Sequence, residues 1–371
     1  MRVLVAPDKF AGTLTAVEAA RAVAEGWRRT APADDVVEAP MSDGGPGFVD
    51  VLHAVLGGQL LGVTVRGPLA ERVPATVLLV DGTAYVESAQ ACGLDLLPRS
   101  GRDPVLGAVE GASTYGVGEL VAAAVDAGAT KVVVGLGGSG TNDGGAGLLA
   151  ALGATSEPAG ALTAGATGLE SLGTLDLDNA RARVAGVELV AAADVDNPLL
   201  GLRGATNVFG PQKGLAADRH IPVDAALTRL AHLAGRREAD VKGAGAAGGL
   251  GYALALLGAS RSGGFDTVAG VVGLATAVRG ADLVITGEGK LDWQSMSGKV
   301  VSGVAALCGP AMRPCIALAG EVQVGSRELR ANGIESAYSL IDTVGRDEAF
   351  ARPDESLATV AARVARTWSR R

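Results

Sequence analysis

Residues 137–147 read GGSGTNDGGAG and follow directly on the apolar run VVVGL, so six glycines crowd an eleven-residue segment at the end of a strand. Glycine removes the side chain and opens conformations closed to other residues, which lets another group approach the backbone closely. Tight packing of a helix on a strand accounts for one or two of these glycines and leaves Thr141, Asn142 and Asp143 unexplained. The segment is therefore read as a ligand loop. Consecutive unhindered N–H groups, in nests or at a helix N-terminus, make a concave anion site, and phosphate is the guest to expect.

Familiar nucleotide motifs do not describe this loop. GLGGSG fits G-x-G-x-x-G through Gly135, Gly137 and Gly140. That fingerprint belongs at the first strand–helix junction of its unit, with a ribose-binding acid closing the next strand. Here the acid at a plausible distance is Glu157, before PAG, and the second match, GAGAAG at 243–248, follows READVK, which is no strand. A dinucleotide-dependent oxidoreductase stays as a remote alternative. Neither a G-x-x-x-x-G-K-[ST] loop nor a protein-kinase signature occurs.

The chain begins β then α. RVLVAPD is a β-rich run, and Thr15 with Glu18 forms a capping box before Val17, Ala20, Ala24 and Trp27 at helical spacing. VVEAP reads as a second strand and FVDVLHAVLGG as a helix stopped by glycine. QLLGVTVRG, RVPATVLLV and TAYVESA then follow without a helix-length gap, which predicts antiparallel pairing. A helix from Val117 feeds the strand before the glycine loop. The last quarter returns to alternation: a strand and turn over ADLVITGEG, a helix from about Val300, the strands PCIALAG and AYSLI, and a closing helix with Leu357, Val360, Ala361, Val364 and Trp368 on one face.

A chain of 371 residues exceeds the size at which one core keeps growing. Two N-terminal strands cannot make a sheet covered on both faces, so both chain ends are expected to share one doubly wound, parallel α/β domain. Residues 1–58 plus 278–371 are assigned to it, and 59–277 to an inserted α/β domain with antiparallel strands.

Hydrophobic residues at 48% and charged residues at 19% exclude disorder, and the apolar runs are too short to span a bilayer. A net charge of −8 argues against nucleic acid as a partner. Cys92, Cys308 and Cys315 form neither a disulfide framework nor a metal pair, and read as buried thiols in a reducing cytoplasm.

The chain has 32 basic residues but only six lysines, and Lys9, Lys213, Lys242, Lys290 and Lys299 each stand beside glycine or an acidic loop. A compact charge on a flexible stem suits phosphate or another anion. Asp8, Asp43, Asp143, Asp194, Asp196, Glu288 and Asp292 lie in short loops after strands, where open α/β sheets collect ligands. His53, His220 and His232 are remote from these loops and read as structural, and no G-x-S-x-G occurs. Lysines, acids and anion loops together supply what phosphoryl transfer needs: phosphate cations, oxygen ligands for Mg²⁺ and an acid to orient or deprotonate a hydroxyl.

The blocks APDKFAGTLTAVEAA, MSDGGPG, GGSGTNDGGAG, DVDNPLLGLRGATNVFGPQKG, GAGAAGGLG and ADLVITGEGKLD…SGK resemble, in order and spacing, the bacterial two-domain glycerate kinases of the glycerate 2-kinase type. The resemblance runs from residue 3 to about residue 320. It implies ATP-dependent phosphorylation of D-glycerate, most often to 2-phosphoglycerate, with Mg²⁺, in a cleft between a Rossmann-like domain and an inserted one. Carried over residue by residue, it points to Asp8, Lys9, Asp43, Asn142, Asp143, Asp194, Asn197, Lys213, Glu288, Asp292 and Lys299, with Gly137, Gly138, Ser139, Thr141 and Gly245 on nucleotide or substrate. Asp194 or Asp43 would take the hydroxyl proton. Lys9 and Lys213 would meet phosphate or the substrate carboxylate, and Asp292 or Glu288 the Mg²⁺. Ala11, Pro46, Phe48, Trp293 and Val301 depart from the family pattern, which leaves open another small hydroxy acid or a weakened binding protein of the same fold. ATP and the hydroxy acid are the expected partners, without nucleic acid or membrane, and a homodimer is the assembly left open.

Overall fold

Thr15 starts the first helix, Ala16–Thr30, as its sequence predicts: its Oγ1 accepts from Glu18 N at 3.1 Å, and Glu18 Oε2 accepts from Thr15 N at 2.9 Å. Two donors that the helix cannot satisfy internally are thus paired. The computed structural model describes every residue except 11, 102, 294, 296–299 and 370–371. The chain divides into two compact units, the first made of Met1–Asp43, Asp50–Leu56 and Phe265–Arg371, the second of Gly44–Val49 and Gly57–Gly264.

The first unit holds a five-stranded parallel sheet in the spatial order Ser336–Ser339, Cys315–Val322, Leu283–Leu291, Arg2–Val5, Asp35–Glu38. From Arg2–Val5 the chain steps outward one way to Asp35–Glu38, and from Leu283–Leu291 it steps the other way. The winding reverses between these two central strands, and such a reversal opens a crevice at their carboxyl ends. Ala20, Val23, Ala24 and Trp27 of the first helix and Leu357, Val360, Ala361 and Val364 of the closing helix Pro353–Trp368 share one buried core.

Two elements of this unit differ from the sequence reading. The strand Leu283–Leu291 continues through GEG, where a turn is predicted, because Lys290 and Leu291 pair with Glu321 and Val322. AYSLI stops being a strand at Ser339, whose side chain accepts from Asp342 N at 3.2 Å and starts the helix Leu340–Val344.

The second unit holds a six-stranded mixed sheet in the order Ser260–Ser262, Glu188–Ala192, Lys131–Gly135, Thr83–Glu87, Arg72–Val80, Gln59–Arg66. The first four are parallel and the last two antiparallel. Val132 and Val134 pack with Leu120, Val121, Leu148, Leu149 and Tyr252 in its core. Two short segments lie across the expected boundaries. The ring of Phe265 covers Gly303 of the first unit, and Gly137 N donates to Gly44 O at 3.1 Å in the second. All three cysteines are buried and free. No described helix is long and apolar enough to cross a membrane.

Candidate active site

In the first unit the strand Arg2–Val5 runs out into Asp8 and Lys9 at the winding reversal. Asp8 N donates to Gly287 O at 2.8 Å and Met41 N to Pro7 O at 2.9 Å, which ties the segment to its neighbours on both sides. Asp8 is 6% exposed, and its Oδ1 accepts from Lys9 N at 2.7 Å. The Lys9 ammonium stands between two carboxylates, 3.7 Å from Asp8 Oδ1 and 3.6 Å from Asp43 Oδ1. Lys9 and Asp43 are half-buried.

Glu288 lies on the neighbouring strand, opposite Ala319, and is buried. Asp292 just beyond closes a turn on itself: its N donates to Ser295 Oγ at 3.1 Å, its Oδ1 accepts from Ser295 N at 3.3 Å, and its Oδ2 is 3.5 Å from Lys290 Nζ. Lys299 and Ala11 lie outside the described residues. Among the described residues no three His, Cys, Asp or Glu side chains gather as a metal cage.

In the second unit the strands Lys131–Gly135 and Glu188–Ala192 are parallel and in register, with Gly135 opposite Ala192. The glycine loop and the segment carrying Asp194 therefore leave the sheet side by side. Asp194 is exposed, two residues beyond its strand.

Packing also demands the crowd of glycines in this loop. A Cβ on Gly137 would lie 2.4 Å from Gly45 Cα, one on Gly145 2.3 Å from Ala253 Cβ, and one on Gly147 2.3 Å from Ser113 Oγ. Packing thus excludes side chains at more positions than the sequence reading allowed it. The GAGAAGG segment lies on the same loop backbone to backbone: Gly144 N donates to Gly248 O at 2.9 Å, and a Cβ on Gly248 would come within 1.9 Å of Thr141 O. Gly138, with φ of +69°, stands against the Pro46 ring.

Asp143, one of the acids expected at a strand end, lies inside the second unit. It is fully buried; Thr114 N and Thr114 Oγ1 donate to its Oδ2 at 2.8 Å each, Gly147 N donates to Oδ2 at 3.2 Å, and Gly145 N to Oδ1 at 3.0 Å. Burial pushes its pKa up, against the pull of these four donors. Its carboxylate shapes the loop from within.

Lys213 is likewise taken up by the loop. It is 3% exposed, and its Nζ donates to Ser139 Oγ at 2.9 Å and to Thr141 O at 2.7 Å. Burial lowers its pKa to about 8, opposed by the charges of Cys92 and Asp143. Asn142 Nδ2 donates to Thr206 Oγ1 at 3.0 Å, while its Oδ1 is buried with no hydrogen-bond partner among the described residues. Asn197 and Gly245 stitch their own segments together: Asn197 Nδ2 donates to Arg203 O at 2.8 Å, and Gly245 N to Asn197 O at 2.9 Å. The exposed Lys242 pairs with Asp196 at 3.4 Å.

Sequence reasoning missed Glu87. It ends the strand Thr83–Glu87, is 5% exposed, and its Oε2 accepts from Gly47 N at 3.1 Å and Val49 N at 3.3 Å, which holds the segment after MSDGG. The only sequence signal was an acid closing a β-rich run. Among the family departures, Phe48 is fully buried edge-on to Tyr85 at 6.2 Å and Val301 is buried, so both serve packing, while Trp293 is 71% exposed.

A sequence profile of the glycerate kinase family matches residues 3–369. The glycerate kinase of Bacillus subtilis (strain 168) is 39% identical over 98% of this chain and 97% of its own. The glycerate 2-kinase of Escherichia coli (strain K12) is 37% identical over 99% of this chain and 98% of its own. A crystal structure described as a glycerate kinase 2 from Salmonella typhimurium LT2 superposes with a TM-score of 0.79 at 37% identity, covering 99% of this chain and 98% of that one. With the match running nearly end to end in both sequence and fold, the chain belongs to the glycerate kinase family of phosphotransferases.

Proposed function

We propose that this chain phosphorylates D-glycerate with ATP and Mg²⁺, at the 2-hydroxyl, with Asp194 as the group that takes the hydroxyl proton. One observation carries the reading. Two parallel strands in register deliver an exposed carboxylate, Asp194, beside a loop of backbone amides whose shape is fixed from beneath by Asp143 and Lys213. Phosphoryl transfer asks the protein mainly for positioning and electrostatic stabilisation, and a rigid glycine loop next to one acid supplies the positioning. The buried Asn142 Oδ1 is an acceptor waiting for a donor, and a ligand group there would recover about 1–3 kcal/mol of desolvation. The name of the Escherichia coli relative supports the 2-hydroxyl as acceptor.

Lys9, held between Asp8 and Asp43, is the ammonium in the first unit assigned to an anionic group of substrate or nucleotide, and Asp43 is the alternative base. The donor set fits a cation that arrives on nucleotide phosphates rather than one caged by protein, since Mg²⁺ commonly takes only one or two carboxylates. Glu288 or Asp292 would hold it. When bound, the ion would neutralise charge that develops on the transferring phosphoryl group.

The test is ADP release with ATP, Mg²⁺ and a panel of small hydroxy acids, with ³¹P NMR of the product. Glycerate-dependent ADP and a 2-phosphate resonance support the proposal. ADP release with another acid alone moves the substrate and keeps the reaction class. Ligand binding without turnover overturns catalysis altogether.

A further inference from the structure

Arg261 sits on the edge strand Ser260–Ser262, beside the strand that delivers Asp194. Its Nη2 donates to Ala193 O and to Val195 O, both at 3.2 Å, and pairs with Asp196 Oδ1 at 2.7 Å. Three acceptors on residues 193, 195 and 196 therefore bracket Asp194 on both sides. Ala193 N donates to Ser262 O at 2.9 Å, which fixes the start of the same segment to the edge strand. A Cβ on Gly243 would lie 2.8 Å from Arg261 Nε and 3.3 Å from Val195 O, so the missing side chain there leaves the guanidinium its seat. Arg261 and then Lys242 hold the Asp196 carboxyl below its usual range, so Asp196 stays an anion for the clamp.

We infer that Arg261 is a positioning residue: it grips the 193–196 segment and so sets where the Asp194 carboxylate points. The guanidinium suits this task because its Nη2 sits on a stiff, planar group that stays charged, whereas a lysine ammonium rides a flexible stem. Catalytic groups must be held closely, and a misplacement of about 1 Å can cost about a hundredfold in rate. The inference rests on the reading of Asp194 as the base.

Arg261→Ala, Arg261→Lys and Asp196→Asn are compared with Asp194→Asn for kcat, KM and hydrogen exchange of the amides at 194–197. Arg261→Ala is expected to lower kcat about tenfold or more with KM for both substrates nearly unchanged. Exchange at 194–197 should be faster, added guanidinium should restore part of the rate, and Arg261→Lys should recover only a fraction of it. Asp196→Asn, a surface change that leaves the carbonyl contacts in place, should show a smaller loss of the same kind. Wild-type kcat in Arg261→Ala beside an inactive Asp194→Asn overturns the inference alone. Wild-type kcat in Asp194→Asn overturns the base reading and the inference with it.

Discussion

Each unit holds a lysine close to aspartate, and the two use the same chemistry in opposite ways. In the first, the half-buried Lys9 stands 3.6 and 3.7 Å from Asp43 and Asp8, at ion-pair rather than hydrogen-bond distance. In the second, Lys213 is buried and donates at 2.7 and 2.9 Å to Thr141 and Ser139, while Asp143 is saturated by four donors of its own loop. Burial decides the difference. An ammonium in reach of water can exchange a carboxylate for an incoming anion at modest expense, whereas a buried one must keep every partner it has. On the proposed reading Lys9 serves as a ligand group and Lys213 as scaffold.

The comparison breaks most visibly at the buried end. Asp143→Ala strips four donors of their acceptor, three of them backbone N–H groups inside the core. Leaving buried donors orphaned beside a buried lysine should cost about 3–5 kcal/mol. Urea unfolding should show the second unit lost first, and an unshifted midpoint would mean that Asp143 is no scaffold. Asp194→Asn should do the reverse, lowering kcat by about a hundredfold or more with the unfolding midpoint unchanged. Turnover at the wild-type rate would remove it from the chemistry.

Lys9→Met sharpens the same contrast with a smaller effect. Loss of one charge-assisted contact to a substrate or nucleotide anion is worth about 1.5–3 kcal/mol, so kcat/KM should fall roughly tenfold to a hundredfold. Stability should fall less than in Asp143→Ala, because Lys9 is part-solvated while Asp8 and Asp43 lose the charge between them. A lowered unfolding midpoint with wild-type kinetics would make Lys9 structural after all.

Much of the fold was legible because its signals are local. The Thr15–Glu18 box, the three β-rich runs without room for helices, and the apolar face of Pro353–Trp368 each depend on residues a few positions apart. The site was legible only as a set of loops. Nothing near Lys213 in FGPQKG tells a buried lysine from an exposed one; its partners, Ser139 and Thr141, lie far back in the chain. The same holds for Gly137, Gly145 and Gly147, whose missing side chains answer to Gly45, Ala253 and Ser113. Asp143 looked like a cleft acid because a carboxylate after a strand reads alike whether it meets a ligand or its own backbone.

The last contrast tests the Lys213 assignment through pH. Burial lowers its folded pKa to about 8 from an ordinary value of 10.5, so the folded protein gives up this proton before the unfolded chain does. Between these two values the unfolded state binds more protons, and linkage then makes stability rise with pH. The contribution is complete above the unfolded value and is lost as pH falls through the folded one. Lys213→Met, which keeps the length of the side chain and removes the charge, should flatten that rise. Urea midpoints of the wild type and the variant, compared from neutral to alkaline pH, read the difference directly. Activity should run the other way in the wild type, since a neutral amine holds Ser139 Oγ and Thr141 O less strongly than an ammonium. Parallel pH curves for the two proteins would show that the ammonium is not as buried as its 3% exposure requires.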